Sequence, residues 1–182
     1  MALKSTIRKA TLHISDMDRH YYQEHQLTIA QHPSETDERL MVRVLAFALH
    51  ADEHLEFGKG IGAEGEPALY RQDLSGTLML IIEIGLPDER RIRQACGRAD
   101  QVVVITYGRH STVDLWWRQN KSELSQRKNL TVIQLPAEAT QAMAALADRT
   151  MHLSCNIEDE QISLMNETVT VIIEPVFLLR KD

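Results

Sequence analysis

Residues 77–106 read TLMLIIEIGLPDERRIRQACGRADQVVVIT. Residues 77–84 are almost continuously apolar and bounded by glycines, which suits a central strand buried on both faces. Pro87 stands where a helix can begin and Gly97 where one can stop, so 87–96 predicts a short helix. Residues 101–106, QVVVIT, supply a second buried strand. Strand, helix and strand in such close succession make a parallel unit with a right-handed crossover.

The pattern continues downstream. Residues 111–122 predict a helix with Leu115 and Trp116 facing inward, 130–135 a third strand, and 136–147 an alanine-rich helix opened by Pro136. The tail changes character: 151–157, 161–164 and 168–173 are short segments joined by Glu, Asp and Asn turns, as in antiparallel strands.

Upstream, 3–14 and 21–30 read as strands around the polar turn SDMDRH. A long helix is expected over 35–53. Ser34 is its N-cap, Asp37 closes a capping box, and Leu40, Met41, Val44, Leu45, Ala48 and Leu49 form an apolar stripe. The glycine-rich stretch 58–76 is irregular, with room for a short edge strand. No linker composition or internal repeat divides the chain, so 1–182 is read as one mixed α/β domain.

The chain has 182 residues, 20 Lys+Arg against 26 Asp+Glu, and a formal charge of −6. Such a balance excludes bulk coating of nucleic acid, which relies on clustered cations, and leaves room for a local phosphate site. Two cysteines, Cys96 and Cys155, are too few for a disulfide framework or a classical zinc site. Neither a leader nor a membrane-spanning run is seen, and the expected location is the cytoplasm.

Two carboxylates stand out by position. Glu38 falls on the packed side of the long helix, and Glu83 shares a strand face with Met79 and Ile81. A buried carboxylate is costly unless paired, protonated or bound to metal. Asp73 precedes the strand of Glu83 and approaches it if Ser75–Gly76 bends a hairpin. The three together would make an oxygen-ligand site suited to Mg²⁺ or Mn²⁺. The competing reading is structural: Glu38 serves the helix dipole or pairs with Arg39 or Arg43, and Glu83 bridges to Arg90, Arg91 or Arg93.

GKGIG, residues 58–62, lacks the spacing of a phosphate loop and reads as a flexible rim. His50 and His54 have ligand-like spacing without the rest of a zinc motif, and read as surface residues. Trp116 is expected in the core, and Trp117, on another helical face, is open to stacking or a protein partner. Cys96, on the side of Ile92, reads as a small buried hydrophobe.

The segments HPSETDERLMVR (32–43), DLSG (73–76), IEIGLPDERRIRQA (82–95) and ADRTM (147–151), with the pair Trp116–Trp117, resemble the YaeQ family over nearly the whole chain. These are small bacterial proteins without an assigned activity. The resemblance implies a variant of the restriction-endonuclease-like, PD-(D/E)XK fold, an alpha-beta roll. Glu38 then looks like the helix carboxylate of that core, Asp73 its metal-binding Asp and Glu83 its (D/E). The implied activity is a Mg²⁺-dependent phosphodiesterase acting on DNA or RNA.

The pattern next asks for a lysine two residues after Glu83, and Gly85 stands there. Glycine neither donates a proton nor steadies developing charge. Arg90, Arg91 and Arg93, or Lys59 in the glycine-rich loop, would supply the cation and grip phosphate. The alternative is a non-catalytic nucleic-acid-binding or protein-interaction protein on a nuclease-like core. An enzyme acting on a small acidic metabolite, with the arginines as anion site, is a third reading.

Overall fold

The computed structural model describes residues 4–59 and 65–181. Leu3, where the first strand was expected to open, and Gly60 and Gly62 of the glycine-rich rim lie outside them.

The first two strands, β1 (Thr6–Asp16) and β2 (Tyr21–Gln31), form an antiparallel hairpin in unbroken register from Thr6↔Gln31 to Asp16↔Tyr21. Helix α1 (Asp37–Leu49) follows. Next come β3 (Leu55–Phe57) and β4 (Leu69–Gln72), an antiparallel pair inside and before the stretch expected to be irregular. The decisive segment is β5 (Leu78–Ile84), α2 (Glu89–Arg98) and β6 (Gln101–Thr106). It leads on to α3 (His110–Leu124), β7 (Leu130–Gln134) and α4 (Ala137–Met143), which tightens into a 3₁₀ turn at Ala144–Leu146. The tail holds β8 (Thr150–Glu158), β9 (Gln161–Met165), β10 (Thr170–Ile173) and β11 (Val176–Leu179).

These strands make two mixed sheets. One runs β10-β9-β8-β1-β2, the other β11-β7-β6-β5-β4-β3. β5, β6 and β7 are parallel, as the crossover pattern requires. The tail strands are antiparallel to one another, but β8 also lies parallel to β1, from Lys9↔Thr150 to Asp16↔Ile157. That long-range pairing is absent from the sequence reading, because alternation in a strand does not say which distant edge it will join.

Helix α1 lies between the sheets. Every residue from Leu40 to Ala48 is buried, Arg43 included, so the helix is covered all round rather than along one stripe. It packs against Leu12 and Ile29 of one sheet and Ile82 and Ile105 of the other. Each large aliphatic side chain buried there contributes about 1.5–3 kcal/mol. A second core on the far face of the larger sheet joins Ile81, Val102 and Val132 to Ile92, Ala95 and Trp116 of α2 and α3.

Helix α1 begins two residues later than expected and ends before 53. Its N-cap is Thr36, whose hydroxyl accepts from Arg39 N at 3.1 Å. Ser34 is instead occupied by the His32 ring at 2.6 Å, which holds the preceding turn. On α3, Leu115 is exposed rather than inward, and Val113, Trp116 and Leu124 form the buried side. Gly97 lies within α2 instead of stopping it.

Candidate phosphate site at the junction of β5 and α2

The strand pleat decides which carboxylates can meet. Ile82 and Ile84 face α1, whereas Ile81 faces α2. By alternation Glu83 lies on the α2 side of the sheet. Glu38, on the helix covering the other side, accepts from Thr140 Oγ1 of α4 at 3.0 Å.

Asp73 is elsewhere again. Its backbone closes the β4–β5 hairpin, donating to and accepting around Thr77 and Gly76, so the expected bend at Ser75–Gly76 is present. The register sets Leu69 opposite Ile82 and Gln72 opposite Leu78, which leaves Asp73 at the hairpin tip. Five strand steps of roughly 3.3 Å separate Leu78 from Glu83, on the order of 17 Å. At the tip Asp73 Oδ1 accepts from Ser75 Oγ, Ser75 N and Thr77 N at 2.6, 2.8 and 2.9 Å. Those bonds, the Ser75 hydroxyl first, hold its carboxyl below the ordinary aspartate value. The structure therefore does not bring Glu38, Asp73 and Glu83 together. Among the described residues no group of three His, Cys, Asp or Glu side chains is arranged to hold a metal ion.

Glu83 has a different companion. Its Oε2 accepts from Arg91 Nε at 3.0 Å, and Arg91 Nη2 donates to Glu66 O at 2.7 Å. Burial pushes the Glu83 carboxyl above its ordinary value, against the pull of Arg91 and more distantly of Arg39 and Arg98. Asp88 caps α2 by accepting from Arg91 N at 2.8 Å, which fixes the backbone that presents Arg91.

Gly85 closes β5. Its φ is +102°, a conformation that L side chains rarely adopt, and its N–H donates to Ile105 O at 2.9 Å. The chain has left the strand there, so the site of the absent lysine no longer continues the face of Glu83.

The arginines divide. Arg93 pairs with Glu89 at 3.2 Å and is not among the residues that line the cleft beside Glu83. Lys59 lies at the rim, its N–H donating to Glu66 Oε2 at 2.8 Å and its ammonium 3.9 Å from Glu66 Oε1. Arg90 and Arg91 line a cleft of about 230 Å³ with Glu83, Gln94 and Arg98. Arg98 is the member that sequence reasoning missed. Its signal is the spacing of Arg91, Gln94 and Arg98, three and four residues apart and hence on one helical face. Neither Arg90 nor Arg98 has an ion-pair partner among the described residues.

A second group missed in the sequence lies at the start of α1. Glu35 is buried and takes Arg39 on Oε2 and the fully buried Arg43 on Oε1, both at 2.5 Å. Arg43 also donates to Ala30 O at 2.8 Å, while its Nε and Nη1 find no partner among the described residues. The histidines also divide: His54 is exposed as expected, whereas His50 is partly buried at the end of α1. Trp116 donates from Nε1 to Pro87 O at 2.9 Å, and Trp117 packs half-buried beside it. Cys96 is partly buried, and burial raises its thiol. No helix among the described residues is long and apolar enough to cross a membrane.

The chain matches the family model described as YaeQ protein over residues 1–175. It is 46% identical over 167 residues to the YaeQ protein of Escherichia coli (strain K12), covering 92% of each chain. With the YaeQ protein of Salmonella typhi the identity is 45%, over 90% of each chain. The crystal structure of YaeQ from Xanthomonas axonopodis pv. citri superposes with a TM-score of 0.92 at 47% identity, covering 96% of this chain and 98% of that one. YaeQ from Pseudomonas syringae gives the same TM-score at 28% identity, with 97% of both chains covered. Alike in sequence over almost its full length and in the course of its backbone, the chain belongs to the YaeQ family.

Proposed function

We propose that this protein binds a nucleic-acid phosphate in the α2 cleft and does not hydrolyse it, a phosphate-binding derivative of the nuclease-like core that its resemblance implies. The observation that carries the reading is the convergence of Arg90, Arg91 and Arg98 on one cleft, two of them without ion-pair partners among the described residues. Arginine forks match phosphate oxygens in pairs, and Gln94 adds an amide donor beside them. Against hydrolysis stand the engagement of Glu83 by Arg91, the hairpin-tip position of Asp73 and the backbone of Gly85.

The test is fluorescence anisotropy with labelled single-stranded and double-stranded oligonucleotides of DNA and RNA. Binding should weaken as salt rises, with a shallow slope of one or two released counterions. The Arg90→Ala/Arg98→Ala double variant should bind at least ten-fold more weakly. The same oligonucleotides should stay intact with Mg²⁺ or Mn²⁺ present. Metal-dependent cleavage lost in Glu83→Ala would restore the nuclease reading. Affinity unchanged in the double variant would remove the cleft from consideration.

A further inference from the structure

Among the described residues the two sheets end on β2 and β10, and on β3 and β11. β3, β10 and β11 are three, four and four residues long, and the pairing of β11 shifts register between Phe177 and Leu179. Short or irregular edges resist pairing with another chain. β2 differs from all three. It runs for eleven residues, YYQEHQLTIAQ, in unbroken register with β1, and holds no proline, glycine or lysine.

Backbone direction decides what this edge offers. Lys9 N donates to Arg149 O, so the peptide groups of Lys9, Thr11, His13 and Ser15 face β8. Those of Arg8, Ala10, Leu12 and Ile14 face β2, where they meet Ile29, Leu27, His25 and Gln23. The alternate residues Tyr22, Glu24, Gln26, Thr28 and Ala30 therefore turn their N–H and C=O groups to the open side. Ala30 O is taken there by Arg43 Nη2 at 2.8 Å. The peptide groups of the other four have no partner among the described residues.

The side chains of these four are exposed and already ordered against β1. Thr11 Oγ1 donates to Gln26 Oε1 at 3.0 Å, and Lys9 Nζ to Thr28 Oγ1 at 2.9 Å. His13 Nδ1 lies 3.3 Å from Glu24 Oε2. Tyr22, opposite Ser15, is 58% exposed, and Ile7, opposite Ala30, is 49% exposed.

We propose that β2 pairs with β2 of a second copy of this chain, antiparallel about a two-fold axis through Gln26, joining the five-stranded sheets of both copies into one. In that register Gln26 meets its own copy, Glu24 meets Thr28, and Tyr22 meets Ala30. All are residues whose peptide groups face outward, as hydrogen-bonded pairs require. Charge agrees across the seam: the row Lys9–Thr28 of one copy continues into Glu24–His13 of the other, so ammonium and carboxylate flank one threonine. Apolar surface agrees as well, since the row Ile7–Ala30 continues into Tyr22.

Neighbouring registers lose these matches. An axis through Glu24 sets two carboxylates opposite each other. One through His25 places Tyr22 on Thr28 and leaves Ile7 bare. One through Leu27 places Glu24 on Ala30, beside Ile7. One through Thr28 carries Glu24 beyond the strand, opposite His32.

Light scattering on the full chain during size-exclusion chromatography should give the mass of two chains at about 100 µM protein. Gln26→Lys sets two ammonium groups against each other on an exposed face and should weaken the dimer at least ten-fold, with circular dichroism reporting the retained fold. Disulfide trapping with oxidised glutathione reads the register. Gln26→Cys should cross-link, because hydrogen-bonded antiparallel pairs stand about 5.5 Å apart at Cα. Glu24→Cys should not, since its two copies lie four strand steps apart, about 14 Å. The unmodified chain, with Cys96 partly buried and Cys155 buried, should stay uncross-linked. A single-chain mass at that concentration, a dimer that Gln26→Lys leaves intact, or cross-linking of Glu24→Cys as fast as Gln26→Cys would overturn the proposal.

Discussion

Glu83 and Arg91 meet at 3.0 Å where β5 passes into α2, and they are unequally buried: the Glu83 side chain is 9% exposed and that of Arg91 40%. Removing either partner therefore has a different cost. Arg91→Ala leaves a carboxylate in an apolar setting and should destabilise the protein by about 1–2 kcal/mol at pH 7. Glu83→Gln leaves a guanidinium that water and Glu66 O still solvate, and should cost less than about 1 kcal/mol. Since burial already holds the Glu83 carboxyl above its ordinary value, the folded state takes up its proton more readily than the unfolded chain. Without Arg91 that tendency grows, so the deficit of Arg91→Ala should shrink as pH falls from 7 towards 5. Urea unfolding of both variants at the two pH values checks the order and the trend.

Gly85 and Gly97 should respond to the same substitution with opposite sign. Among the described residues an added Cβ meets nothing within 4 Å at either site, so sterics do not separate them. Backbone conformation does. At Gly85, φ is +102°, and Gly85→Ala should lower stability by about 1–2 kcal/mol. Gly97 lies within α2, and Gly97→Ala should raise it by about 0.5–1 kcal/mol. Thermal melts of the two variants decide. Gly85→Lys should share the loss and gain no Mg²⁺-dependent cleavage of plasmid DNA, which an agarose assay reads directly.

The Glu35–Arg43 pair is fully buried, side chain against side chain. Glu35→Ala strands the Arg43 charge inside α1's packing and should cost about 3–5 kcal/mol. The double variant Glu35→Ala/Arg43→Met removes both charges and should recover much of that loss. Chemical denaturation of the single and double variants measures the coupling. Equal losses in the two would mean that the pair's charge is not what the packing tolerates.

His50 makes stability pH-dependent. Burial, with Arg19 and Arg71 nearby, pushes its imidazole down to about 4, against the opposing effect of the Ala46 bond and Asp16. Between about 6.5 and 4 the unfolded chain binds a proton that the folded one refuses, so stability falls as pH falls through that window. The ceiling is roughly 3 kcal/mol, reduced where water reaches the ring. His50→Gln should flatten this part of the profile, measured by urea unfolding at pH 7, 5.5 and 4.5.

Local signals carried the reading as far as local physics determines structure. The unbroken apolar run of β5 and β6 marks strands covered on both faces, and Pro87 marks the approach to α2. Ser75–Gly76 marks the hairpin bend. The same bend carries Asp73 away from Glu83, because a hairpin brings its tip residues close only to each other. Glu35 and Arg43 look like ordinary charges of a first and second helical turn. Only the second sheet, folded over α1, makes them interior. His50 was hidden for the same reason. Strands β3 and β11 are three and four residues long and have too little alternation to stand out from their surroundings.

Strand β1 is hydrogen-bonded on one side to β2, which follows it at once, and on the other to β8, where Lys9 lies opposite Thr150. During synthesis on the ribosome the first hairpin therefore emerges with one edge open. It must wait for most of the chain to be translated before that edge is closed. Premature release or a stalled ribosome would leave an unpaired strand available to a second nascent chain. Loss of the last third of the molecule would thus injure its beginning, where no residue has been altered.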